Sequence, residues 1–360
     1  MNEANKKRLH IAFWIVAIIA IAFFSDSIGL FQLGNGVLKR YSVTYTDSFD
    51  TVTEIIGYCE SEKEFEEKAE LLHQEMRKYH AYYDIYNTYP EIVNLKSIND
   101  MAGKGPVKVD EEIMGLLSYC IEMYGETNGQ VNVAMGSLLN LWHTYRQEGI
   151  DNPELAAIPT REELAERAGH IDIRSLALDK KQMTVELKDI GMSLDVGSIA
   201  KGYAVDRVAE YARELGFENM LISVGGNILA IGNKPDGTKW NIGVMDPFVA
   251  KGEKTADSQY IDHVEIENTC VVTSGDYQRY YTVNGVEYCH IIDPDTWMPS
   301  NEFSSVTIIG PNSAMADALS TALFNMNLEE GQQLIESLDG WEAMWIDAEG
   351  KLHYTDGFHK

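Results

Sequence analysis

The stretch Asp195-Val-Gly-Ser-Ile-Ala-Lys-Gly-Tyr-Ala-Val-Asp206 places a carboxylate, two glycines and a lysine where an amphipathic helix begins. Apolar residues recur at helical spacing over 204–215. Gly197 and Gly202 permit close approach of the backbone to a ligand, the first free N–H groups of a helix attract anions, and Lys201 adds a positive charge. The stretch indicates a phosphate-binding turn, although a strand-to-helix turn that needs glycine only for its geometry has the same pattern.

Two later parts of the chain carry polar residues that a hydrophobic core does not need. Gly225-Gly226-Asn227 follows a strand predicted over Met220–Val224, and glycines at a strand end permit either close approach to a ligand or a β-bulge. Thr273-Ser-Gly-Asp276 precedes His290-Ile-Ile-Asp293. A lone histidine such as His290 is more often a hydrogen-bonded structural residue than a base, so these segments are informative only in combination.

A carboxylate and a hydroxyl lie one helical turn apart near the C-terminus. Asp317 and Thr321 fall within a helix predicted over Asn312–Met326, so their oxygens can converge on a hard cation such as Mg²⁺. Taken alone, the pair is more often a surface carboxylate and a threonine bonded back to its own helix. The metal-site hypothesis therefore depends on the other segments.

The remaining chain is predicted to contain helices and strands in irregular order. Helices are predicted from Ser61 to about His80, after Asp110, and after the capping box Thr160-Arg-Glu-Glu163. Strands are predicted at Tyr41–Thr46, Leu176–Leu178 and Met183–Leu187, with turns at Pro235-Asp-Gly237 and Asn284-Gly285. This order indicates an α+β fold rather than repeated βαβ units.

The composition is that of a folded, strongly acidic protein. Its 360 residues are 45% hydrophobic and carry a formal net charge of −27. This balance argues against nucleic acid as a partner, since nucleic acid is bound by an excess of Lys and Arg. An anionic ligand must be held by local positive charge or by a metal ion. The four cysteines show no metal-binding spacing, and a domain of this size does not need disulfides, so we expect buried or unpaired thiols.

Residues 1–24 form a separate segment in which basic residues precede an unbroken apolar run over 11–24. The run is shorter than the ~20 residues that span a bilayer and fits a signal-peptide core. Because Phe23-Phe24-Ser25 is a poor cleavage site, a signal peptide and an uncleaved membrane anchor both remain open. The basic flank predicts export, to the extracytoplasmic face of the membrane or beyond it. Residues 25–39 are interpreted as a linker and 40–360 as the functional domain.

Together, the ordered motifs resemble the ApbE family, whose members are FAD:protein FMN transferases. The resemblance spans residues 41–355. The motifs, in chain order, are Val133-Ala-Met-Gly-Ser-Leu-Leu-Asn-Leu-Trp142, Asp195–Arg207, Val224-Gly-Gly-Asn227, Thr273-Ser-Gly-Asp276, His290-Ile-Ile-Asp-Pro294 and Ala316-Asp-Ala-Leu-Ser-Thr321. The resemblance implies the α+β fold of this family, with T-fold-like mixed sheets flanked by helices.

The resemblance also implies Mg²⁺-dependent transfer of FMN from FAD to a Thr or Ser hydroxyl of an exported protein, with AMP as the leaving group. Asp317 and Thr321 would supply side-chain oxygens to the metal, and Ser198 its carbonyl oxygen. His290 would activate the acceptor hydroxyl, a role that suits imidazole near neutral pH, and Asp293 would orient it. The residues implied to contact FAD are Phe49, Tyr86, Ala134, Met135, Gly136, Asp195, Lys201, Gly225, Gly226, Asn227, Thr273, Ser274, His290 and Ile291.

Two loops depart from the family's pattern. Ser48-Phe49-Asp50-Thr51 stands where the family has Ala-Met-Gly-Thr, so Asp50 replaces a glycine. Asp293-Pro-Asp-Thr-Trp-Met-Pro299 carries Trp297 where glycine is expected, and a positive φ there would impose strain or a different turn. Because this loop follows His290, acceptor recognition is the function most affected. Trp297 could equally contact a partner protein as an exposed aromatic residue.

Three functions are compatible with these residues. The chain lacks the Asp-x-x-Ser/Thr-Gly-Ala/Ser-Thr acceptor motif, so covalent FMN transfer would use a separate polypeptide. With water as acceptor, the same site would be an FAD pyrophosphatase that releases FMN and AMP. A flavin-binding protein without turnover is the third alternative. Independently of these functions, Tyr86 could be an ordinary core tyrosine. Retention of Asp317 and Thr321 argues against it, since binding alone needs no catalytic metal.

Overall fold

The computed structural model describes residues 31–33 and 36–359. The segment predicted to be a signal peptide or anchor, 1–24, lies outside these residues. Among the residues that are described, no helix combines the length and apolarity needed to cross a membrane.

The described residues form sixteen strands and nine α-helices. The helices are α1 Glu62–Tyr83, α2 Leu95–Asn99, α3 Glu111–Glu126, α4 Gly136–Asp151, α5 Arg161–Ala168, α6 Ala200–Glu214, α7 Pro247–Ala250, α8 Ser313–Asn325 and α9 Leu328–Glu336. The strands are β1 Phe31–Leu33, β2 Gly36–Ser48, β3 Thr51–Cys59, β4 Val107–Lys108, β5 Leu176–Asp179, β6 Thr184–Leu187, β7 Met220–Val224, β8 Asn227–Ile231, β9 Trp240–Met245, β10 Tyr260–Ile266, β11 Cys270–Gly275, β12 Tyr280–Val283, β13 Val286–Cys289, β14 Phe303–Gly310, β15 Glu342–Asp347 and β16 Leu352–Tyr354.

A nine-stranded sheet runs through the centre in the order β1-β2-β3-β7-β8-β11-β14-β15-β16. Three small sheets pair β9 with β10, β12 with β13, and β4, β6 and β5 with one another. The α+β fold class is confirmed. We expected mixed sheets, but every strand pair in the described residues is antiparallel; the one parallel contact, Met135 to Ser193, is an isolated bridge. Consecutive strands joined by short turns favour this arrangement.

The central sheet is covered on both faces, which explains why all five residues of β7 are buried. Ile222 packs into the large cluster beneath α1, α6 and α8, whereas its neighbour Leu221 packs on the opposite face. There Trp240 and Ile242 of the β9–β10 ribbon cover the sheet. Because successive side chains of a strand point to opposite faces, two covers require an unbroken apolar strand.

Most predicted elements are found, with one difference at the N-terminal edge of the sheet. The capping box at Thr160 and Glu163 has both of its hydrogen bonds, and the predicted turn at Asn284-Gly285 joins β12 to β13. β2 begins at Gly36 instead of Tyr41, and β1 also lies within the stretch interpreted as a linker. The reason is long-range pairing: Lys39 of β2 pairs with Cys59 of β3, a partner that local composition does not reveal.

A buried carboxylate fixes α8 against α6. Asp206 of α6 accepts hydrogen bonds from the Ser313 and Ala314 N–H groups at 2.9 and 2.8 Å. These are the first N–H groups of α8, which have no partner within their own helix. Burial raises the pKa of Asp206 to about 6. The last residue of the opening motif is therefore a cap between two helices, one turn from the candidate active site.

Candidate active site

Helices α6 and α8 meet at an ion pair between Lys201 and Asp317. Lys201 Nζ lies 3.3 Å from Asp317 Oδ1, and the Gly202 N–H donates to Asp317 Oδ2 at 2.9 Å. Asp317 is 3% exposed, so these two donors replace water around its charge. The residues predicted to bind phosphate and metal are thus brought together by the packing of two helices.

The glycines of the opening motif serve geometry more than ligand approach. A Cβ on Gly202 would overlap the Ser313 carbonyl oxygen and lie 2.7 Å from Asp317 Cβ, so glycine is required for α6 to approach α8. The Gly197 N–H donates to Asp195 Oδ1 at 2.8 Å within the turn before the helix. Close approach of the backbone at Gly202 is therefore to a second helix, which corrects the expectation that it serves a ligand.

Oxygen atoms near the ion pair fit a hard cation. Asp317 supplies a buried carboxylate, while Thr321 and Ser198 are half-buried and lie on α8 and in the turn before α6. Within the described residues, no group of three or more His, Cys, Asp or Glu side chains could hold a metal ion. Mg²⁺ does not require such a cage, because it is commonly held by one or two carboxylates together with substrate phosphates and water.

The hydroxyls of Thr273 and Ser274 are engaged within the protein. Thr273 Oγ1 lies 2.9 Å from Thr307 Oγ1 on the neighbouring strand, and Ser274 Oγ lies 2.8 Å from Ser320 Oγ. The Ser320 hydroxyl in turn donates to the Asp317 carbonyl oxygen at 2.9 Å. These two residues of the motif therefore attach β11 to the helix that carries Asp317. Any contact with FAD through these two hydroxyls would have to share or replace these bonds.

His290 follows β13 and is kept neutral by its surroundings. Burial lowers the pKa of His290 to about 3, and the positive charges of Arg279, Arg146 and Lys201 act in the same direction. Its Nδ1 is buried without a hydrogen-bond partner among the described residues. The free nitrogen of a neutral imidazole can accept a hydrogen bond from a hydroxyl. A pKa this low makes the imidazole a weak base until a bound anion offsets the neighbouring positive charges.

Asp293 shapes its own turn and has no orienting contact with His290 among its hydrogen bonds. Its Oδ1 accepts from the Asp295 N–H at 2.8 Å, and its Oδ2 accepts from the Thr296 hydroxyl at 2.7 Å. Aspartate commonly closes turns in this way. The geometry therefore gives no support to the catalytic role that the resemblance implies for Asp293. Ile291, which directly follows His290, is buried, and its carbonyl accepts from the Ser300 N–H at 3.1 Å.

Trp297 occupies a left-handed conformation, with φ of 64°. Its side chain is half-buried and packs against the cluster that contains Met135, Leu138 and Trp142. Trp142 Nε1 also donates to the Trp297 carbonyl oxygen at 2.9 Å. Packing around the side chain and a hydrogen bond to the backbone thus retain a conformation that usually selects glycine.

Phe49 and Asp50 form the two-residue turn between β2 and β3, with φ of 55° and 51°. Aspartate tolerates this region better than most residues, so the turn survives the loss of glycine. The Phe49 N–H donates to His80 Nδ1 at 3.1 Å, and the two rings meet edge to face at 5.5 Å. Phe49 is thereby fixed against α1.

Gly225 and Gly226 make a similar turn between β7 and β8, with φ of 54° and 96°. A Cβ on Gly225 would lie 2.5 Å from Thr51 Oγ1. Hairpin geometry and contact with the neighbouring turn explain both glycines, in place of the bulge that was considered. Asn227 is 1% exposed and its Nδ2 has no partner in the described residues, which leaves a buried donor beside the turn.

The predicted aromatic residue, Tyr86, is 56% exposed and therefore is not an ordinary core tyrosine. Its ring centroid lies 5.9 Å from that of His143 on α4. The charge of Asp195 acts on the Tyr86 hydroxyl, and the charges of Arg146 and Arg279 act on both Asp195 and His290. We refer to the surface around these five residues as the cleft. Burial raises the pKa of Asp195, and Arg279 and His143 oppose this shift.

Ala134, Met135 and Gly136 are buried at the start of α4. The Gly136 N–H donates to the Ser193 carbonyl oxygen at 2.9 Å, and a Cβ there would lie 2.5 Å from the same oxygen. The glycine therefore lets α4 start against the segment that leads to Asp195. This contact positions one wall of the cleft.

Sequence reasoning missed three cationic or polar side chains of the cleft, namely His143, Arg146 and Arg279. Arg146 and Arg279 both act on His290 and on Asp195. Arg279 lies only three positions after Asp276 of a recognised motif, so its position along the chain was a usable signal. Arg146 lies on α4, far from the other motifs in sequence, and no local pattern identifies it.

Comparison with known proteins identifies a matching family and relatives of this chain. The ApbE family model matches residues 41–345. A FAD:protein FMN transferase of Treponema pallidum is 33% identical over 277 residues, which cover 73% of each chain. One from Klebsiella pneumoniae is 34% identical over 251 residues, covering 69% of this chain and 73% of the relative.

Solved structures show the same similarity. The crystal structure of an ApbE protein from Thermotoga maritima has a TM-score of 0.76 and 31% identity, and covers 89% of this chain and 99% of that one. The flavin transferase ApbE from Vibrio cholerae has a TM-score of 0.73 and 25% identity, and covers 89% and 98%.

Proposed function

The chain belongs to the ApbE family and is a FAD:protein FMN transferase, and from this premise we propose that it transfers FMN to a Ser or Thr hydroxyl with Mg²⁺ and releases AMP. The acceptor is a separate, exported polypeptide. Asp195, Lys201 and Tyr86 bind FAD, and His290 accepts the proton of the acceptor hydroxyl.

The observation that carries this proposal is the placement of a neutral histidine among cations. His290 lies within the field of Arg279, Arg146 and Lys201, and its pKa is lowered to about 3. A base must be unprotonated to act, and a cationic surrounding favours a phosphate anion in the same cleft.

Asp317, Thr321 and the Ser198 carbonyl would hold the metal ion. The buried carboxylate of Asp317 is the anionic donor, and Thr321 lies one turn further along α8. When bound, Mg²⁺ would neutralise charge on the pyrophosphate and make its phosphorus more electrophilic. Hard oxygen donors of this kind are those that Mg²⁺ prefers.

The residues of the chain perform the remaining steps. His290 takes the proton of the acceptor hydroxyl as the hydroxyl oxygen forms a bond to the FMN-side phosphorus. The bond from that phosphorus to the bridging oxygen breaks, and AMP leaves with the electron pair. Lys201 stabilises the charge passed to the AMP phosphate.

Export of the enzyme is part of the proposal. Residues 1–24 carry basic residues followed by an apolar run, the pattern of a signal peptide or membrane anchor. The enzyme would then act on the extracytoplasmic face of the membrane, anchored or secreted. Fractionation of cells with an antibody to the chain tests this, and recovery of the protein in the cytosol would contradict it.

One incubation distinguishes transfer from the alternative activities. The full chain is mixed with FAD, Mg²⁺ and an exported flavin-acceptor protein, and AMP release and acceptor mass are measured. Transfer gives equal amounts of AMP and acceptor carrying FMN. AMP with an unmodified acceptor would indicate a pyrophosphatase, and no AMP at any Mg²⁺ concentration would indicate storage of FAD.

A substitution at Asp317 tests the metal site within the same assay. Asp317→Asn keeps an oxygen that can accept from the Gly202 N–H but removes the anionic donor, so we expect turnover to fall about 100-fold or more. The melting temperature and FAD affinity without Mg²⁺ serve as controls for folding. Wild-type turnover in this variant would remove Asp317 from the metal site.

A further inference from the structure

The unpaired positive charge of the cleft lies on two arginines. Lys201 is neutralised by Asp317 at 3.3 Å, in a pair held by helix packing. In the part of the chain that the structure describes, neither Arg146 nor Arg279 has a carboxylate within salt-bridge distance. In a chain with net charge −27, cations that remain unpaired indicate a site for an anionic ligand.

Arg279 lies directly across the hairpin from His290. In the β12–β13 ladder Tyr280 pairs with Cys289, so the preceding and following residues, Arg279 and His290, face each other at its open end. The positive charge of Arg279 also acts on the His290 ring, as this placement requires. Arg279 is exposed at the cleft, so its side chain is free to meet a ligand beside the imidazole.

Arg146 approaches the same position from α4. Its Nη2 lies 3.0 Å from His143 Nδ1, and the His143 ring packs against Tyr86 at 5.9 Å. Burial and the charge of Arg279 lower the pKa of Arg146. The two positive charges repel each other, and the partial burial of Arg146 adds a desolvation cost. An anion bound between the two guanidinium groups would offset both costs.

We propose that Arg146 and Arg279 bind the FMN-side phosphate of FAD, the phosphate that the acceptor hydroxyl attacks; this rests on the proposed function. The attacking oxygen must lie within hydrogen-bond reach of His290 and ~3–3.5 Å from the phosphorus. That phosphate is therefore beside the imidazole and next to Arg279. Arg279 faces His290 across the hairpin, whereas Lys201 lies on α6 in an ion pair with Asp317, so we assign Lys201 to the AMP-side phosphate.

Ligands that carry one phosphate or none separate these roles. Dissociation constants for FMN, riboflavin and AMP are measured by flavin fluorescence or calorimetry on the full chain and on Arg279→Gln and Arg146→Gln. We expect each variant to bind FMN about 10-fold or more weakly, because a hydrogen bond to a charged group contributes ~1.5–3 kcal/mol. Affinities for riboflavin and AMP should stay within about twofold, since neither carries the FMN phosphate.

Two further variants complete the experiment. Arg279→Lys keeps the charge but loses the planar pair of donors, so its FMN affinity should fall between those of wild type and Arg279→Gln. Arg174→Gln is the matched control, because Arg174 is exposed and pairs only with the neighbouring Asp172. It should bind all three ligands as wild type does.

Other results would overturn the assignment. Weaker AMP binding with unchanged FMN binding would place the arginines on the AMP-side phosphate. A raised KM for the acceptor with unchanged FMN affinity would assign them to an acidic side chain of the acceptor. If the wild type released no AMP but FMN affinity fell as expected, the proposed function would fail and the phosphate assignment would stand.

Discussion

At the scale of single residues, His290 shows how the surroundings of an imidazole determine the pH range in which it can act. Its ordinary pKa would leave much of it protonated below neutrality. Burial and the charges of Arg279 and Arg146 lower that pKa to about 3. The base form therefore persists through the whole mildly acidic range.

The pH profile of kcat/KM tests this directly, since it reports groups of the free enzyme. Because His290 is neutral above its lowered pKa, we expect no acid limb with a midpoint near 6.5 between pH 5 and 8. His290→Gln should lower kcat by ~10²-fold or more at every pH tested. An acid limb near 6.5 that disappears in His290→Gln would show that the imidazole titrates normally.

At Trp297, two opposing contributions to stability can be compared. The left-handed backbone is strained, whereas the packing of the side chain is stabilising. Its φ of 64° costs about 1–2 kcal/mol for a residue other than glycine. Its half-buried side chain packs with Met135, Leu138 and Trp142, and full burial of a large apolar side chain contributes about 1.5–3 kcal/mol. The two contributions are similar in size and opposite in sign.

Two substitutions at position 297 separate these contributions. Trp297→Ala removes the packing and keeps the strained backbone, so we expect a loss of about 2 kcal/mol in the free energy of unfolding. Trp297→Gly removes both, so its loss should be smaller by about 1 kcal/mol. Urea unfolding measures both values. Equal stability of the two variants would show that the positive φ is not strained.

At the scale of elements, the contact between α6 and α8 positions the site. At Gly202 the helices are too close for a Cβ, and Asp206, one turn further along α6, caps α8. A methyl group at position 202 would meet the Ser313 backbone, which cannot move without displacing the whole helix. The spacing of the two helices is therefore coupled to the distance between Lys201 and Asp317.

Gly202→Ala should separate these helices. We expect a loss of about 1–3 kcal/mol in stability, typical of overpacking, together with loss of transferase activity. Gly125→Ala is the control: Gly125 lies in α3 with open space around its Cβ position, so alanine there should add about 0.5 kcal/mol. Thermal unfolding and AMP release measure both effects. Full activity in Gly202→Ala would show that the site tolerates a wider helix spacing.

The sequence predicts a helix or strand well when residues close together in the chain determine it, and poorly when distant contacts do. The apolar period of α6 and the Asn312–Met326 limits of α8 are local, and both were predicted correctly. The same motif could not show that Gly202 faces Ser313, because that contact joins residues distant in the chain. Arg146 was not predicted as a site residue because it is distant in the chain from the other motifs. Lys201 and Asp317 were predicted because each lies within a recognisable motif.

At the scale of the whole molecule, charge is distributed unevenly. The chain carries −27 overall, yet its cleft holds Arg146, Arg279 and Lys201. A strongly acidic surface repels FAD at long range, and only the cleft attracts it. Discrimination against other polyanions, including nucleic acid, then follows from the same acidic surface.

If the four cysteines are free and unreactive, the stability of the fold does not depend on the redox state of its surroundings. Cys59, Cys120, Cys270 and Cys289 are free and buried. Burial raises the pKa of Cys59 to about 11 and that of Cys289 to about 12, and it raises the other two as well. Because the thiolate is the reactive form, buried thiols with raised pKa values are inert at neutral pH.

We therefore expect the fold to be the same in oxidising and reducing surroundings. In the native protein, the four thiols should not react with a disulfide reagent at pH 8, and all four should react after unfolding in guanidinium. Addition of a reductant should leave the melting temperature unchanged, because no cross-link restricts the unfolded chain. A lower melting temperature on reduction would reveal a disulfide and would make stability depend on the compartment.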